Sequence, residues 1–180
     1  MRQGGTGEWV LLSYRLPREP STPRIGVWRK LKRLGVAQLS DGLVALPADA
    51  RTREQLEWIA DEVIEAGGTA GIWLAHPSTL AQEQRVAASM AAARAAEYAA
   101  VTEQAALASG QDEAIRHSTA RRLRAELRRI GRRDYFPPPQ RRTAHLAVDA
   151  LITPGAVDKE TRGSHRQGRV RVADPAAHRP

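Results

Sequence analysis

Apolar positions along the first 76 residues change period four times. Trp9-Val10-Leu11-Leu12-Ser13-Tyr14-Arg15-Leu16 is rich in aromatic and aliphatic residues and stops at Pro17 and Pro20, where a missing N–H interrupts a ladder, so it predicts a strand. A helix follows, with Thr22 as its cap and Pro23 at the first helical position, where the absent N–H costs nothing. Gly35 ends it. Val27, Trp28, Leu31 and Leu34 share one face of this helix, and Arg29, Lys30, Lys32 and Arg33 project roughly opposite. Val36–Leu39 and Leu43–Leu46 are short apolar runs around Ser40-Asp41-Gly42, whose Asp-Gly pair supplies the positive φ of a tight hairpin. From Arg53 to Ala66, Leu56, Ile59, Ala60, Val63 and Ile64 recur at i, i+3, i+4, i+7 and i+8, which predicts an amphipathic helix ended by Gly67-Gly68. Ala70–Ala75, closed before Pro77, completes the set as a strand.

The order β-α-β-β-α-β places two helices on one face of a four-stranded sheet, the split β-α-β arrangement. The predicted fold class is α+β, a ferredoxin-like domain over residues 9–76 followed by a carboxy-terminal helical region over residues 77–152. That region holds a long alanine-rich helix from Leu80 to Ala108, free of Gly and Pro. A second helix begins near Asp112, has Ile115, Leu123, Leu127 and Ile130 on one side, and stops at Gly131 and Pro137-Pro138-Pro139. A third, Gln140 to Ile152, aligns Ala144, Ala147, Val148 and Leu151. Residues 1–8 and the Arg-, Gly-, His- and Pro-rich stretch 153–180 show no apolar periodicity and are predicted to be disordered.

Composition bounds the chain further. At 180 residues and 42% hydrophobic it can bury one respectable core with a helical appendage. No apolar run approaches the ~20 residues of a membrane span, and Met1-Arg2-Gln3-Gly4-Gly5 lacks the apolar core of a signal peptide, so no membrane association and a cytoplasmic location are expected. The absence of cysteine excludes disulfides and thiolate chemistry. Charge is local: residues 1–110 carry 12 Lys or Arg against 12 Asp or Glu, and residues 111–180 carry 16 against 8. The densest stretch, Arg121 to Arg133, has seven arginines and one acid. Clustered arginine on one element is the electrostatic footprint of a phosphate-backbone binder. A solvated helix whose arginine stems cover apolar neighbours is the plainer alternative.

The run Leu16-Pro17-Arg18-Glu19-Pro20-Ser21-Thr22-Pro23-Arg24-Ile25-Gly26-Val27-Trp28-Arg29-Lys30-Leu31-Lys32-Arg33-Leu34-Gly35, then Leu46-Pro47, resembles the amino-terminal domain of the chromate-resistance ChrB family. Arg133-Asp134-Tyr135-Phe136-Pro137 resembles that family's later motif. The resemblance spans about Trp9 to Ile152 and implies a cytoplasmic regulator of chromate-resistance genes that binds promoter DNA and responds to chromate. Members usually carry a further carboxy-terminal domain, where this chain has a basic, Pro-containing tail. If that domain contributes sensing, this chain binds without responding or serves a different operon. Chromate is a tetrahedral dianion that Arg side chains and backbone N–H groups hold as they hold phosphate or sulfate, although the sequence shows no dedicated pocket.

The β-α-β-β-α-β block also resembles the domain shared by small CRISPR-associated nucleases and phenylacetate-operon repressors. In those nucleases an aspartate at the end of the first strand is associated with a catalytic metal; here the region reads Leu12-Ser13-Tyr14-Arg15-Leu16, with no carboxylate for a hard divalent cation. The repressors place a winged helix ahead of the block, whereas Met1 to Glu8 alone precede it here. The expectation is therefore a non-enzymatic protein with no catalytic residues, no metal and no cofactor, and with double-stranded DNA as partner. The candidate DNA contacts are Arg24, Arg29, Lys30, Lys32 and Arg33 on the first helix and Arg121, Arg122, Arg124, Arg128, Arg129, Arg132 and Arg133 on the arginine helix. Such residues suit phosphate contacts, which position without reading sequence, so preference must come from Arg on guanine edges, DNA shape or dimer spacing. A homodimer is expected from the habits of the fold; an adaptor whose helical appendage binds a separately encoded sensor domain is the alternative role, and a metal-dependent nuclease is the weakest reading.

The remaining candidates have plain readings. His76, His117, His145, His165 and His178 are scattered, with no His-x-x-x-His pair. Trp9, Trp28, Trp58 and Trp73 fall one on each of four elements and are read as core, with Trp58 off its helix's stripe. Glu54, Glu57, Asp61, Glu62 and Glu65 form an exposed acidic face, and Ser13, Ser40 and Ser78 have no hydrolase context.

Overall fold

The computed structural model describes residues 7–153. The predicted disorder of residues 1–6 and 154–180, and His165 and His178, lie outside the described residues. The elements in chain order are β1 (Trp9–Arg15), α1 (Ser21–Leu34), β2 (Ala37–Ser40), β3 (Leu43–Pro47), α2 (Ala50–Glu65), β4 (Thr69–Ala75), α3 (Leu80–Ser109), α4 (Glu113–Gly131) and α5 (Gln140–Ala150).

Two helix starts differ from expectation, each for a local reason. Helix α1 begins at Ser21 with Pro20 as N-cap and no side-chain cap bond, so Thr22 is not the cap and Pro23 sits third. The first helical N–H groups have no intrahelical acceptor, so a proline is tolerated throughout that turn. Helix α2 starts three residues earlier than predicted because Asp49 caps it: its carboxylate accepts from the Thr52 N–H at 2.7 Å, and the Thr52 hydroxyl accepts from the Asp49 N–H at 3.0 Å. The Thr52 N–H holds the Asp49 carboxyl below the usual carboxylate range.

The chain is α+β, with four strands in the order β2-β3-β1-β4 and every neighbouring pair antiparallel. The β2–β3 hairpin turns at Gly42, whose φ of 72° suits glycine; a Cβ there would lie 2.4 Å from the Tyr14 carbonyl oxygen. Opposed pairs fix the faces of the sheet. Val10 pairs with Leu46 and Leu12 with Val44, and all four are buried beneath Val27 and Leu31 of α1 and Leu56, Ile59 and Val63 of α2. The other face carries Trp9, Leu11 and Ala45, and the beginning of α3 lies over it: the Trp9 indole N–H donates to Glu83 at 3.1 Å, and Met90 joins the same core.

Helix α3 is long enough to serve two cores. Beyond Met90 its Tyr98, Val101, Ala105 and Ala108 pack with Ala120, Leu123, Leu127 and Ile130 of α4 and Ala144, Val148 and Leu151 of α5. Ile115, predicted on that apolar side, is instead 44% exposed in the first turn of α4, before α3 and α5 can cover it. The tryptophan reading needs correction. Trp9 is buried, whereas Trp28, Trp58 and Trp73 are 53%, 61% and 61% exposed. At roughly 100° per residue, Trp28 stands at the margin of the Val27–Leu31 stripe and Trp58 opposite the Leu56–Ala60 stripe. Trp73 sits on the edge strand β4, beyond the part of the sheet that α3 covers, and its N–H donates to Ser13 at 3.1 Å.

Candidate nucleic-acid interface

Helix α4 shows two sides with different chemistry. Ala120, Leu123, Leu127 and Ile130 face the helical core, and Arg121, Arg124, Arg128 and Arg132 form a row displaced from them by about a third of a turn. That row spans about 16 Å at 1.5 Å per residue. Asp112 caps the helix, its carboxylate accepting from the Ile115 N–H at 2.9 Å. Arg128 and Arg129 lie in the last turn, where cations complement the helix dipole.

The arginines fall into three sets by their partners. Arg124 bonds Asp149 of α5 at 2.7 Å, Arg129 pairs with Glu126, and Arg122 donates to Gln104 at 2.8 Å. Arg133 is 22% exposed and donates to Glu97 at 2.8 Å, so it is held in the seam between α3 and α4. Arg121, Arg128 and Arg132 are exposed, and no carboxylate pairs with them among the described residues. On α1, Arg24, Arg29 and Arg33 are exposed, Lys32 lies 5.4 Å from the centre of the exposed Trp28 ring, and Lys30 pairs with Glu62 of α2.

The structure brings the carboxy-terminal ends of the two basic helices together. The segment after α4 does this. Tyr135 donates to the Leu34 carbonyl at 3.3 Å, and Phe136 stacks on Trp9 with ring centres 5.9 Å apart. Arg51, at the start of α2, lies 6.0 Å from the Tyr135 ring and reaches the Arg132 carbonyl at 3.5 Å. Burial pushes the Tyr135 hydroxyl up from its ordinary value. Asp134 accepts from the buried Tyr98 hydroxyl at 2.9 Å; burial, reinforced by that bond to a carboxylate, pushes the Tyr98 hydroxyl up to about 12. Gly35, with φ of 72°, lets α1 end against this junction: a Cβ would stand 2.6 Å from Arg94 Nη1 and 2.9 Å from Arg133 Cβ. Arg133-Asp134-Tyr135-Phe136 is thus the clasp between the sheet domain and the helices: Arg133 and Asp134 hold α3, Tyr135 holds the end of α1 and Phe136 stacks on β1.

Sequence reasoning missed Arg51, Arg141 and His145. Arg141, His145 and Asp149 recur every four residues on α5 and line one cleft of about 500 Å³ with Arg124, Arg128 and Arg132. The i, i+4, i+8 spacing was visible in the sequence; that α5 lays this row against the arginine row of α4 was not. Among the described residues no group of three or more His, Asp or Glu side chains is placed to hold a metal ion, and no helix is long and apolar enough to cross a membrane.

The chain resembles known proteins over the same span that builds this arrangement. The family model described as "Protein ChrB, N-terminal" matches residues 24–154. Protein ChrB of Cupriavidus metallidurans is 29% identical over 158 residues, which cover 82% of this chain and 48% of that protein. The chain therefore spans about half the length of that relative. No solved structure gives a significant match. The matched residues contain α1 with its cations, the arginine row of α4 and the clasp that joins them, and the chain belongs to the ChrB amino-terminal family.

Proposed function

We propose that this protein is a non-enzymatic, DNA-associated regulator of chromate-resistance genes, acting in the cytoplasm as a homodimer. The observation that carries the reading is the row Arg121, Arg128 and Arg132, exposed and without carboxylate partners among the described residues, on a helix of a ChrB-family chain. Guanidinium groups in such a row neutralise backbone phosphates and release counterions. Arg24, Arg29, Lys32 and Arg33 extend the cationic surface from α1, and Arg133 contributes by holding the clasp. The sheet domain is ferredoxin-like in this reading, supported by the strand order and by two helices that each link parallel strands separated by one neighbour. Dimerisation uses β4, an uncharged seven-residue edge strand with Trp73 and Leu74 exposed. A nuclease footprint of the purified chain on the DNA upstream of its own gene tests the reading. A discrete protected site supports it, and uniform protection, or none, at physiological salt removes it.

A second reading, an adaptor for another protein, is favoured by Ile25 and Trp28 of α1 and Trp58 and Ile64 of α2, all of which are large, apolar and exposed. A pull-down that recovers no stoichiometric partner would count against it.

A further inference from the structure

The cleft between α4 and α5 has the chemistry of an anion site. Its α4 wall is Arg124, Arg128 and Arg132, and its α5 wall is Arg141, His145 and Asp149. The Arg124–Asp149 bond at 2.7 Å joins the two walls and closes one end. Along the chain from that pair, Arg128 and Arg132 continue the α4 wall towards the second end of the cleft, and His145 and Arg141 continue the α5 wall. At that second end Arg141 has only a 3.8 Å contact to Asp134, whose carboxylate is buried and already accepts from Tyr98. Two guanidinium groups thus face one cavity without a matching exposed carboxylate among the described residues. Like charges so placed repel unless an anion lies between them.

The floor strengthens the case. Leu127, 3% exposed, backs the cleft with apolar material, which raises the strength of any charge-assisted bond made above it. Gly131 also lines it, and a Cβ built there meets nothing within 4 Å, so glycine leaves the floor open. The Arg fork matches the planar pair of oxygens that a tetrahedral oxyanion presents, and several forks converging from two helices match its several faces.

We propose that this cleft binds one tetrahedral oxyanion, held by Arg128, Arg132 and Arg141 with the His145 imidazole, and that Arg124 is positioned by Asp149 to close the end. The shared ligand chemistry is that of phosphate, sulfate or chromate. Its source is either a free oxyanion or a phosphate of bound DNA. The inference deepens the oxyanion-responsive part of the proposed function, and it rests on that reading only in assigning the site a regulatory use.

The test is a calorimetric and ¹H–¹⁵N NMR titration of the full chain with sodium sulfate, sodium phosphate and sodium chromate, chloride being adjusted to hold ionic strength constant. Saturable binding of one anion that shifts α4 and α5 resonances is expected. It should weaken at least tenfold in the Arg128→Gln, Arg132→Gln double variant and also in Gly131→Leu, which fills the floor and keeps every cation. Arg53→Gln, an exposed cation of α2 paired with Glu57, should bind the anion as the parent does. If free anions do not bind but a DNA duplex shifts the same resonances, and Gly131→Leu abolishes those shifts, the site stands and its ligand is a backbone phosphate. Binding that never saturates, or that ignores both cleft variants, overturns the site. Promoter preference measured in parallel separates the two readings: preference with neither free anions nor duplex acting on the cleft resonances sinks the cleft and leaves the regulator, and anion binding without preference does the reverse.

Discussion

Arg128 and Arg133 stand five residues apart on the same arginine-rich stretch, yet their surroundings assign them opposite roles. Arg133 is 22% exposed, bonds Glu97 at 2.8 Å and packs its Cβ toward Gly35, so its loss acts on folding. Removing one partner of a half-buried, charge-assisted pair costs about 1–2 kcal/mol. For a domain of this size that corresponds to a fall in Tm of about 2–8 °C in Arg133→Gln. Arg128 and Arg132 are exposed and pair with no carboxylate among the described residues, so replacing both should leave Tm within about 2 °C and act on binding rather than on folding. Each lost phosphate contact reduces the slope of log K against log salt by about 0.9 in magnitude, or about 1.8 for the pair. The advantage of the parent over the double variant should then shrink about twelvefold between 50 and 200 mM salt. Fluorescence anisotropy with a labelled duplex gives the slopes, and calorimetry gives Tm. A flattened slope with unchanged Tm in Arg133→Gln, or a lowered Tm with unchanged slope in the double variant, would refute this sorting of the arginines.

Gly35→Ala should destabilise the protein by about 1–2 kcal/mol from the left-handed conformation alone, with more from the 2.6 Å approach to Arg94, and urea denaturation measures the sum. The Tyr98 hydroxyl, raised from 10.0 to about 12, keeps its proton where the unfolded chain has lost it. Its stabilising contribution is therefore whole below about pH 10 and is lost as pH rises towards about 12. Tyr98→Phe should flatten the decline of stability across that window, and an unaltered pH profile would contradict the assignment. Trp73→Lys puts a charge on the exposed edge strand and should convert a dimer to monomer in light scattering without lowering Tm. A parent protein that is already monomeric at tens of micromolar would dispose of the β4 interface.

Much of the fold is legible because its signals are local. The periodicity of Leu56, Ile59, Ala60 and Val63 marks α2, and Asp41-Gly42 marks the hairpin. Helix starts were less legible at α1 and α2, where Pro20 and the reciprocal Asp49–Thr52 bonds decide the boundary by geometry rather than by apolar spacing. The exposed tryptophans were misread because residue type says what burial would gain and not which neighbours are available to cover it. Within the candidate interface, the arginine content of α4 was plain, but its division among three roles was not. That division depends on Glu97, Asp149 and Arg141, which lie eight or more residues from the arginines they meet or face and reach them only once α3 and α5 pack against α4.

The most direct test of the regulator reading is a titration of the full chain against DNA from upstream of its own gene and against a scrambled duplex, at two salt concentrations, with and without chromate. The expected result is promoter-selective binding that survives the higher salt and is relieved by chromate. Equal binding to both duplexes, abolished by salt and indifferent to chromate, would contradict it.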